Sequence, residues 1–299
     1  MRSTYQLADG TEVRIKRLPE KLELERTEGA PGDSLKLIFQ SGTAVLPGEP
    51  CGIRMEKNGA LQFLGTVEKH TVRMEGGQRE EVFTCRCRAA LLTDCEAKPG
   101  ILRMPSLRLM ELLFLTPFGL QAAGMDFMPK QGELIIEKGT SCWAVLNTYG
   151  ARFLGCEPVC RRDGTVCFSG QAQRWITLPA VKRVECIRRP CAQISRVVVQ
   201  IARTGAYNAV YENPAAVHGN RVRYLSARAD TAPKTVIAEG ERKALQMRVV
   251  CFGFVDAEPG ALCDLSAYGA EFRRMRVCSM GYTCTEGCGE TELTFERQE

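Results

Sequence analysis

Histidine is nearly missing from this chain: among 299 residues only His70 and His218 carry an imidazole. A cysteine nucleophile needs a base within reach. Both histidines lie in polar, turn-like stretches, so no Cys–His couple is expected in spite of fifteen cysteines. A G-x-S-x-G elbow, a phosphate-cradling glycine loop and an H-E-x-x-H pair are absent as well. The adjacent carboxylates Glu80 and Glu81 fall in a charged stretch that reads as a solvated hairpin tip. Tryptophan is equally scarce. Trp143 sits in an apolar, helix-like run and reads as core, which leaves Trp175 as the second indole able to stack on a sugar or base. These absences predict a protein that is not an enzyme and needs no cofactor.

Two further deficits narrow the class. The most apolar window, Leu107 to Leu115, is far too short for a bilayer span and carries Arg108 and Glu111. The opening MRSTYQLADGTEVRIKR is polar, without the apolar segment of an export signal, so synthesis and folding in a cytoplasm are expected. Net charge is small, at +5, and the arginines occur singly or in pairs such as Arg161-Arg162, Arg188-Arg189 and Arg273-Arg274. A dedicated DNA-binding domain would instead gather them into a basic stripe.

Cysteine is the residue in excess. The number is odd and most thiols fall at alternating strand positions, where a reduced cysteine packs as a small hydrophobe. The close spacings are Cys85-x-Cys87, Cys156-x3-Cys160 and Cys284-x3-Cys288. None is a C-x2-C knuckle, and structural zinc needs four converging ligands, so no metal site is expected.

What the chain does contain is a pattern that occurs twice. PGEPCGIRM, GALQFLGTV and EVFTCRCR recur near the end as PGALCDLSA, GAEFRRMRV and TELTFERQ. Gly59, Ala60, Val67, Phe83, Cys85 and Cys87 match Gly269, Ala270, Val277, Leu293, Phe295 and Arg297, all at an offset of 210. Pro47 and Pro259 stand two residues further apart, so one copy has the shorter hairpin. Period-2 alternation puts Cys51, Ile53 and Met55 on one face, Leu61 and Phe63 on another, and Phe83, Cys85 and Cys87 together. Two related antiparallel β-domains on one chain follow; the alternative is that two β-meanders merely look alike.

Between the copies the character changes at Pro99-Gly100. Ser106 is placed to cap a helix bearing Leu107, Met110, Leu113 and Phe114 at helical spacing, ending before Pro117. A strand from Glu133 to Glu137 precedes a second helix, capped by Thr140 or Ser141, with Leu146, Tyr149 and Phe153 on one face and Gly150 as its weak point. A hairpin about Arg162-Asp163-Gly164 closes this α/β segment. Later, 196–203 and 206–212 read as a hairpin about Thr204-Gly205. A helix over Thr235 to Leu245, weakened by Gly240, and a strand from Met247 to Val255 then lead into the second copy. Tyrosines and phenylalanines fall mainly at inward-alternating positions, so no exposed aromatic stripe is expected.

The order of these elements resembles the baseplate hub proteins of contractile-tailed phages and phage-like particles, the late-control-D-type tail protein family. The stretches that carry the resemblance are PGEPCGIRMEKNGALQFLGTVEKH with EEVFTCRCRAALLTDCEA, then PSLRLMELLFLTPFGLQA, then EKGTSCWAVLNTYGARFLGCEPVCRRDGTVCFSG, and finally PGALCDLSAYGAEFRRMRVCSMGYTCTEGCGETELTFER. The resemblance implies an α+β, mainly β chain with two related antiparallel tube-type β-barrel domains and a small α/β insert. The first barrel spans 1–96 and is completed near 171–190, the insert spans 97–170, and the second barrel spans 191–299. It also implies a homotrimer whose six barrels match a sixfold tail tube above while its threefold axis suits a central spike below. Expected partners are therefore the chain itself, the tail tube protein, the spike protein and other baseplate proteins. No membrane is implicated, and DNA appears only as passing cargo. The protein would sit in the bacterial cytoplasm during assembly and then in the particle's tail, with any lytic activity left to a partner. The charged tips carrying Glu75, Arg79, Glu80 and Glu81, and Thr285, Glu286 and Glu290, are candidate contacts with subunits or tube, the alternative being solvated loops. Other readings of the chain are a distal tail or tube-initiator protein, or a β-barrel that binds oligosaccharide or nucleic acid.

Overall fold

The computed structural model describes residues 1–29, 31–41, 43–124, 132–168, 174–216, 221–227, 232–267 and 269–297. It is mostly β, with antiparallel ladders dominant and few helices, and it divides into two compact units.

The first unit holds residues 1–172 together with 281–290. Its strands are β1 (Arg2–Leu7), β2 (Glu12–Ile15), β3 (Lys21–Thr27), β4 (Ser34–Ser41), β5 (Pro50–Lys57), β6 (Ala60–Glu75) and β7 (Gln78–Cys87). They lie in the order β3-β4-β7-β6-β5-β1-β2. Alternation explains the burial: Leu22 and Leu24, Leu35, Leu37 and Phe39, and Phe83 and Cys85 all turn inward. Two expected faces are broken by bulges. The β1–β5 register slips between Gln6 and Leu7, so Cys51 becomes the extra residue and turns to solvent while Ile53 and Met55 stay buried. The β5–β6 register slips between Met55 and Glu56, leaving Gln62 unmatched. Gln62 is buried rather than wasted, because its amide oxygen accepts from Arg26 at 3.2 Å and from Arg162 at 3.0 Å.

After β7 the chain folds around its own core, in which Ala89 and Leu92 pack with residues as far as Phe168. Its elements are α1 (Leu91–Asp94), β8 (Gly100–Arg103), α2 (Leu107–Met110), β9 (Gln121–Ala123), β10 (Glu133–Ile136), α3 (Cys142–Tyr149), β11 (Val159–Cys160) and β12 (Thr165–Cys167). The hydroxyls of Ser106 and Ser141 cap α2 and α3, accepting from the amides of Leu109 and Ala144 at 3.2 Å each. Both helices run on into a wider π-type turn, over 111–115 and 150–154. After α2 this turn shifts the buried face. Met110, Phe114 and Leu115 point into the core, whereas Leu113, expected inside, is exposed. A tight 3-10 turn, 116–118, follows it with Pro117 as its second residue. The second face holds as read, with Leu146, Tyr149 and Phe153 all buried.

The second unit holds 173–280 and 291–299. Its strands are β13 (Val181–Arg188), β14 (Arg196–Gln200), β15 (Tyr207–Glu212) and β16 (Val222–Leu225); then come helix α4 (Pro233–Ala244), β17 (Leu245–Phe252), β18 (Leu262–Ala267), β19 (Ala270–Thr285) and β20 (Cys288–Arg297). The main sheet runs β13-β17-β20-β19, with β18 pairing β19, and a small sheet runs β15-β14-β16 with α4 packed on β14. Of 171–190, the expected completion of the first barrel, 171–173 lie outside the described residues, and β13 pairs along its length with β17. The recurring stretch is matched in length as well as spacing. β6 and β19 are both 16 residues long, β7 and β20 are both 10, and each pair begins at the same offset of 210. The two-residue turns correspond too, Gly76-Gly77 with Glu286-Gly287, all four at positive φ.

Gly150 and Gly240, which read as weak points of their helices, are close approaches instead. A Cβ on Gly150 would lie 2.5 Å from the Cys156 carbonyl oxygen, and one on Gly240 would lie 3.0 Å from the Ile194 nitrogen. Gly150→Ala therefore clashes with backbone, and we expect a loss of about 1–3 kcal/mol of stability from overpacking. Urea unfolding followed by far-ultraviolet circular dichroism measures it; an unchanged midpoint would show that the turn after α3 relaxes freely.

Candidate partner-binding surfaces

The first expected contact, the tip between β6 and β7, is shorter than the sequence suggested. The ladder continues out to the Glu75–Gln78 pair, so only Gly76 and Gly77 form the turn. Glu75 is exposed there, but Glu80 and Glu81 belong to the strand, opposite Arg73 and Val72. Glu80 accepts from Arg73 at 2.8 Å on the solvent side.

Glu81 corrects the reading of a solvated pair, being only 1% exposed. One carboxylate oxygen accepts from the Val45 amide at 2.8 Å and from Arg79 Nε at 2.7 Å; the other lies 2.9 Å from His70 Nε2. The cause is parity. Glu81 stands two and four residues before Phe83 and Cys85, so the alternation that buries them buries it as well, and that signal was present in the sequence. His70 is likewise no turn residue. A bulge between Val67 and Lys69 rotates β6 so that the imidazole pairs with Phe83, stacked at 4.4 Å and 7°. His218 lies outside the described residues. Beside this cluster a cleft of about 510 Å3 is lined by the 46–50 loop, Glu68, His70 and Arg79.

Burial pushes the Glu81 carboxyl upward, but the Val45 amide, Arg79 and His70 together outweigh it and hold the group below the ordinary range. Burial, aided by Cys85 and Glu81, pushes the Tyr5 phenol upward. It also raises the thiols of Cys85 to about 12 and of Cys87 to about 11, which keeps them protonated and poorly nucleophilic.

The second expected contact is the tip of the β19–β20 hairpin. Residues 281–290 belong to the first unit, and the Glu286 amide donates to the Glu20 carbonyl at 3.1 Å. The side chains of Thr285 and Glu286 are exposed, Glu290 is half-buried, and Cys284 and Cys288 bracket the same turn. No group of three or more metal-ligating side chains converges among the described residues. Among them, too, no helix is long and apolar enough to cross a membrane.

The expectation that no aromatic stripe lies exposed is overturned by the small sheet. Tyr207 and Tyr224 are 47% and 65% exposed and meet edge to face at 5.7 Å, above Val198, which the register sets beside Val210 and Tyr224. Alternation failed here because β15 and β16 are the edges of a three-stranded sheet, so an outward-facing row has no layer to enter. Trp175 is also exposed, whereas Trp143 is buried and its indole N–H donates to the Gly29 carbonyl at 3.2 Å.

Comparison with known proteins places this architecture. No family model and no curated protein matches the sequence. Among solved structures, the 43 kDa tail protein of prophage MuSo2 from Shewanella oneidensis superimposes with a TM-score of 0.80 at 12% identity, over 99% of this chain and 98% of that one. The chain has a phage tail-protein fold. The tail protein from Neisseria meningitidis gives 0.75 at 16% identity, over 99% and 96%. A component of the Escherichia coli type VI secretion system gives 0.60 at 10% identity, over 94% and 74%. The tail-protein fold thus accounts for nearly the whole length of both this chain and the two tail proteins.

The Glu81 cluster yields a test. The carboxyl is held below its unfolded value, so its contribution to stability is complete above the ordinary carboxylate range and is lost as pH falls through the folded value. Glu81→Gln leaves Arg79 without its counter-charge and His70 without its carboxylate partner, and we expect it to cost about 2 kcal/mol near pH 7. The difference from the native protein should shrink steadily below about pH 5. Urea midpoints for both proteins across that range measure it; a gap that stays constant down to pH 3 would show that ionised Glu81 holds nothing together.

Proposed function

We propose that the chain is a structural tail protein, a baseplate hub that joins the tail tube to the central spike as a homotrimer. The observation that carries this reading is the duplicated hairpin, with strands of 16 and 10 residues in both copies, on a fold shared along its whole length with phage and prophage tail proteins. Two tube-type barrels per chain, one from each copy, give six barrels in a trimer, and six is the number needed to seat on a sixfold tube while a threefold spike docks below. The insert, 97–170, would lie outside that ring. Tube protein, spike protein and further baseplate proteins are the partners, in a bacterial cytoplasm during assembly and in the finished tail afterwards. The chain is structural in this reading, and not an enzyme. In this reading the exposed ends at Glu75 and at Thr285–Glu286 meet neighbours, whereas Glu81 braces the strand behind them.

The mass in solution under reducing conditions, measured by light scattering across a concentration series, tests the assembly. One chain is 33.1 kDa. A species of three chains is the expected result. A stable species of six would point to a tube initiator, and a monomer at every concentration would remove the geometric basis of the hub.

A further inference from the structure

At one end of the second unit's main sheet lies a cavity of about 690 Å3, within the range of about 300–1,000 Å3 typical of ligand sites. Three arginines from three elements line it. Arg188 ends β13 and pairs in register with Leu245, the first residue of β17; Arg242 lies in the last turn of α4; Arg297 ends β20. Glu241 is the single carboxylate in the lining, and Ala238 and Leu245 supply apolar wall. Among the described residues none of the three guanidiniums makes an ion pair or a hydrogen bond. A cation in the last turn of a helix complements the helix dipole, which accounts for Arg242. It does not account for Arg188 and Arg297, which stand on strands and line the same cavity.

We infer that this cavity binds an acidic peptide segment, with side-chain carboxylates on Arg188, Arg242 and Arg297 and an apolar residue against Ala238 and Leu245. Charge complementarity sets the sign of the ligand, since the lining holds three arginines and a single carboxylate. The donor set separates carboxylate from phosphate. A phosphate site is ordinarily built on backbone N–H groups at a helix N-terminus or glycine-rich loop, whereas here the helix presents its C-terminal, carbonyl-rich end. Discrete guanidinium forks suit carboxylates spaced along a chain, each taken up by two parallel hydrogen bonds. The apolar wall then needs a ligand that carries more than charge. None of this depends on trimer formation.

Fluorescence anisotropy of a labelled octapeptide of alternating Glu and Leu, titrated with the full chain, tests the site. Saturable binding that weakens with added salt is expected, and Arg188→Ala/Arg242→Ala should weaken it at least tenfold. Arg73→Ala/Arg103→Ala, which removes equal charge from exposed strands elsewhere, should leave it unchanged. If the alanine pair fails to fold, as judged by thermal unfolding, Arg188→Lys/Arg242→Lys keeps the charge and should still weaken binding several-fold through loss of the fork. Absence of saturable binding, or equal loss in the control pair, overturns the inference. So does tripolyphosphate binding more tightly than the peptide with the same arginine dependence, which would make it a phosphate site. A monomer that binds the peptide upholds the cavity while removing the hub; a trimer that does not bind it does the reverse.

Discussion

Phe83 touches an aromatic ring from each of three other strands: Tyr5 on β1 at 5.0 Å, Phe39 on β4 at 5.8 Å edge to face, and His70 on β6 in a stack. It is fully buried at the middle of the strand order β3-β4-β7-β6-β5-β1-β2, with two strands to one side of β7 and four to the other. Removing water from rings that also meet at favourable angles contributes beyond the buried area itself, by about 0.5–1.5 kcal/mol per pair. Much of the first unit follows from this cluster. The bulge in β6 that brings His70 over Phe83 also brings its Nε2 within reach of Glu81, and Glu81 in turn ties down Val45 and Arg79. One aromatic contact therefore fixes a bulge, a buried carboxylate and the start of a loop.

The parts legible in the sequence are those governed by strict periodicity. An offset of 210 between two sets of apolar and glycine positions is reproduced as equal strand lengths and matched turns, because each hairpin is a local object whose register its turn sets. Ser106 was legible as a cap, and Ser141 as one of two candidates with Thr140, because a hydroxyl at that place meets an orphan amide three residues on. The buried row Leu146, Tyr149 and Phe153 was legible for the same kind of reason.

The places that escaped are those where the period is broken by one residue. A bulge turns Cys51 outward and another turns Gln62 inward, while Ile53, Met55 and Phe63 keep their buried side, and nothing in the local composition announces either. The π-type turn after α2 does the same on a helix, exchanging Leu113 for Leu115. The exposed tyrosines of the small sheet escaped because alternation shows only that two faces differ. Whether either face has anything to pack against is decided by how many layers the fold supplies there. The three arginines of the cavity are far apart in sequence and come together only through the ends of strands and a helix. Their signal in the chain was negative: scattered arginines look like solvated charge until the structure shows which of them lack a carboxylate.

The polar groups buried in the first unit obey a common logic. Arg26, Gln62 and Glu81 are each 1–2% exposed, and each meets polar groups from more than one part of the chain, Arg26 lying 3.9 Å from the Asp33 carboxylate as well as against Gln62. Arg26 donates to both the carbonyl and the amide oxygen of Gln62, and Arg162, from the turn after β11, donates to the Leu61 carbonyl and to the same amide oxygen. A hydrophobic contact at such a junction would tolerate sliding, because apolar surface is non-directional. A guanidinium shared with a bulged glutamine tolerates none, since a displaced partner leaves a buried donor unmet at a cost of about 1–3 kcal/mol. The α/β segment is thereby pinned to β6 at the residue where the β5–β6 ladder skips a partner. For a protein whose proposed task is to hold neighbours in fixed register, placing directional bonds at the joints and apolar packing between them reconciles stability with a single geometry.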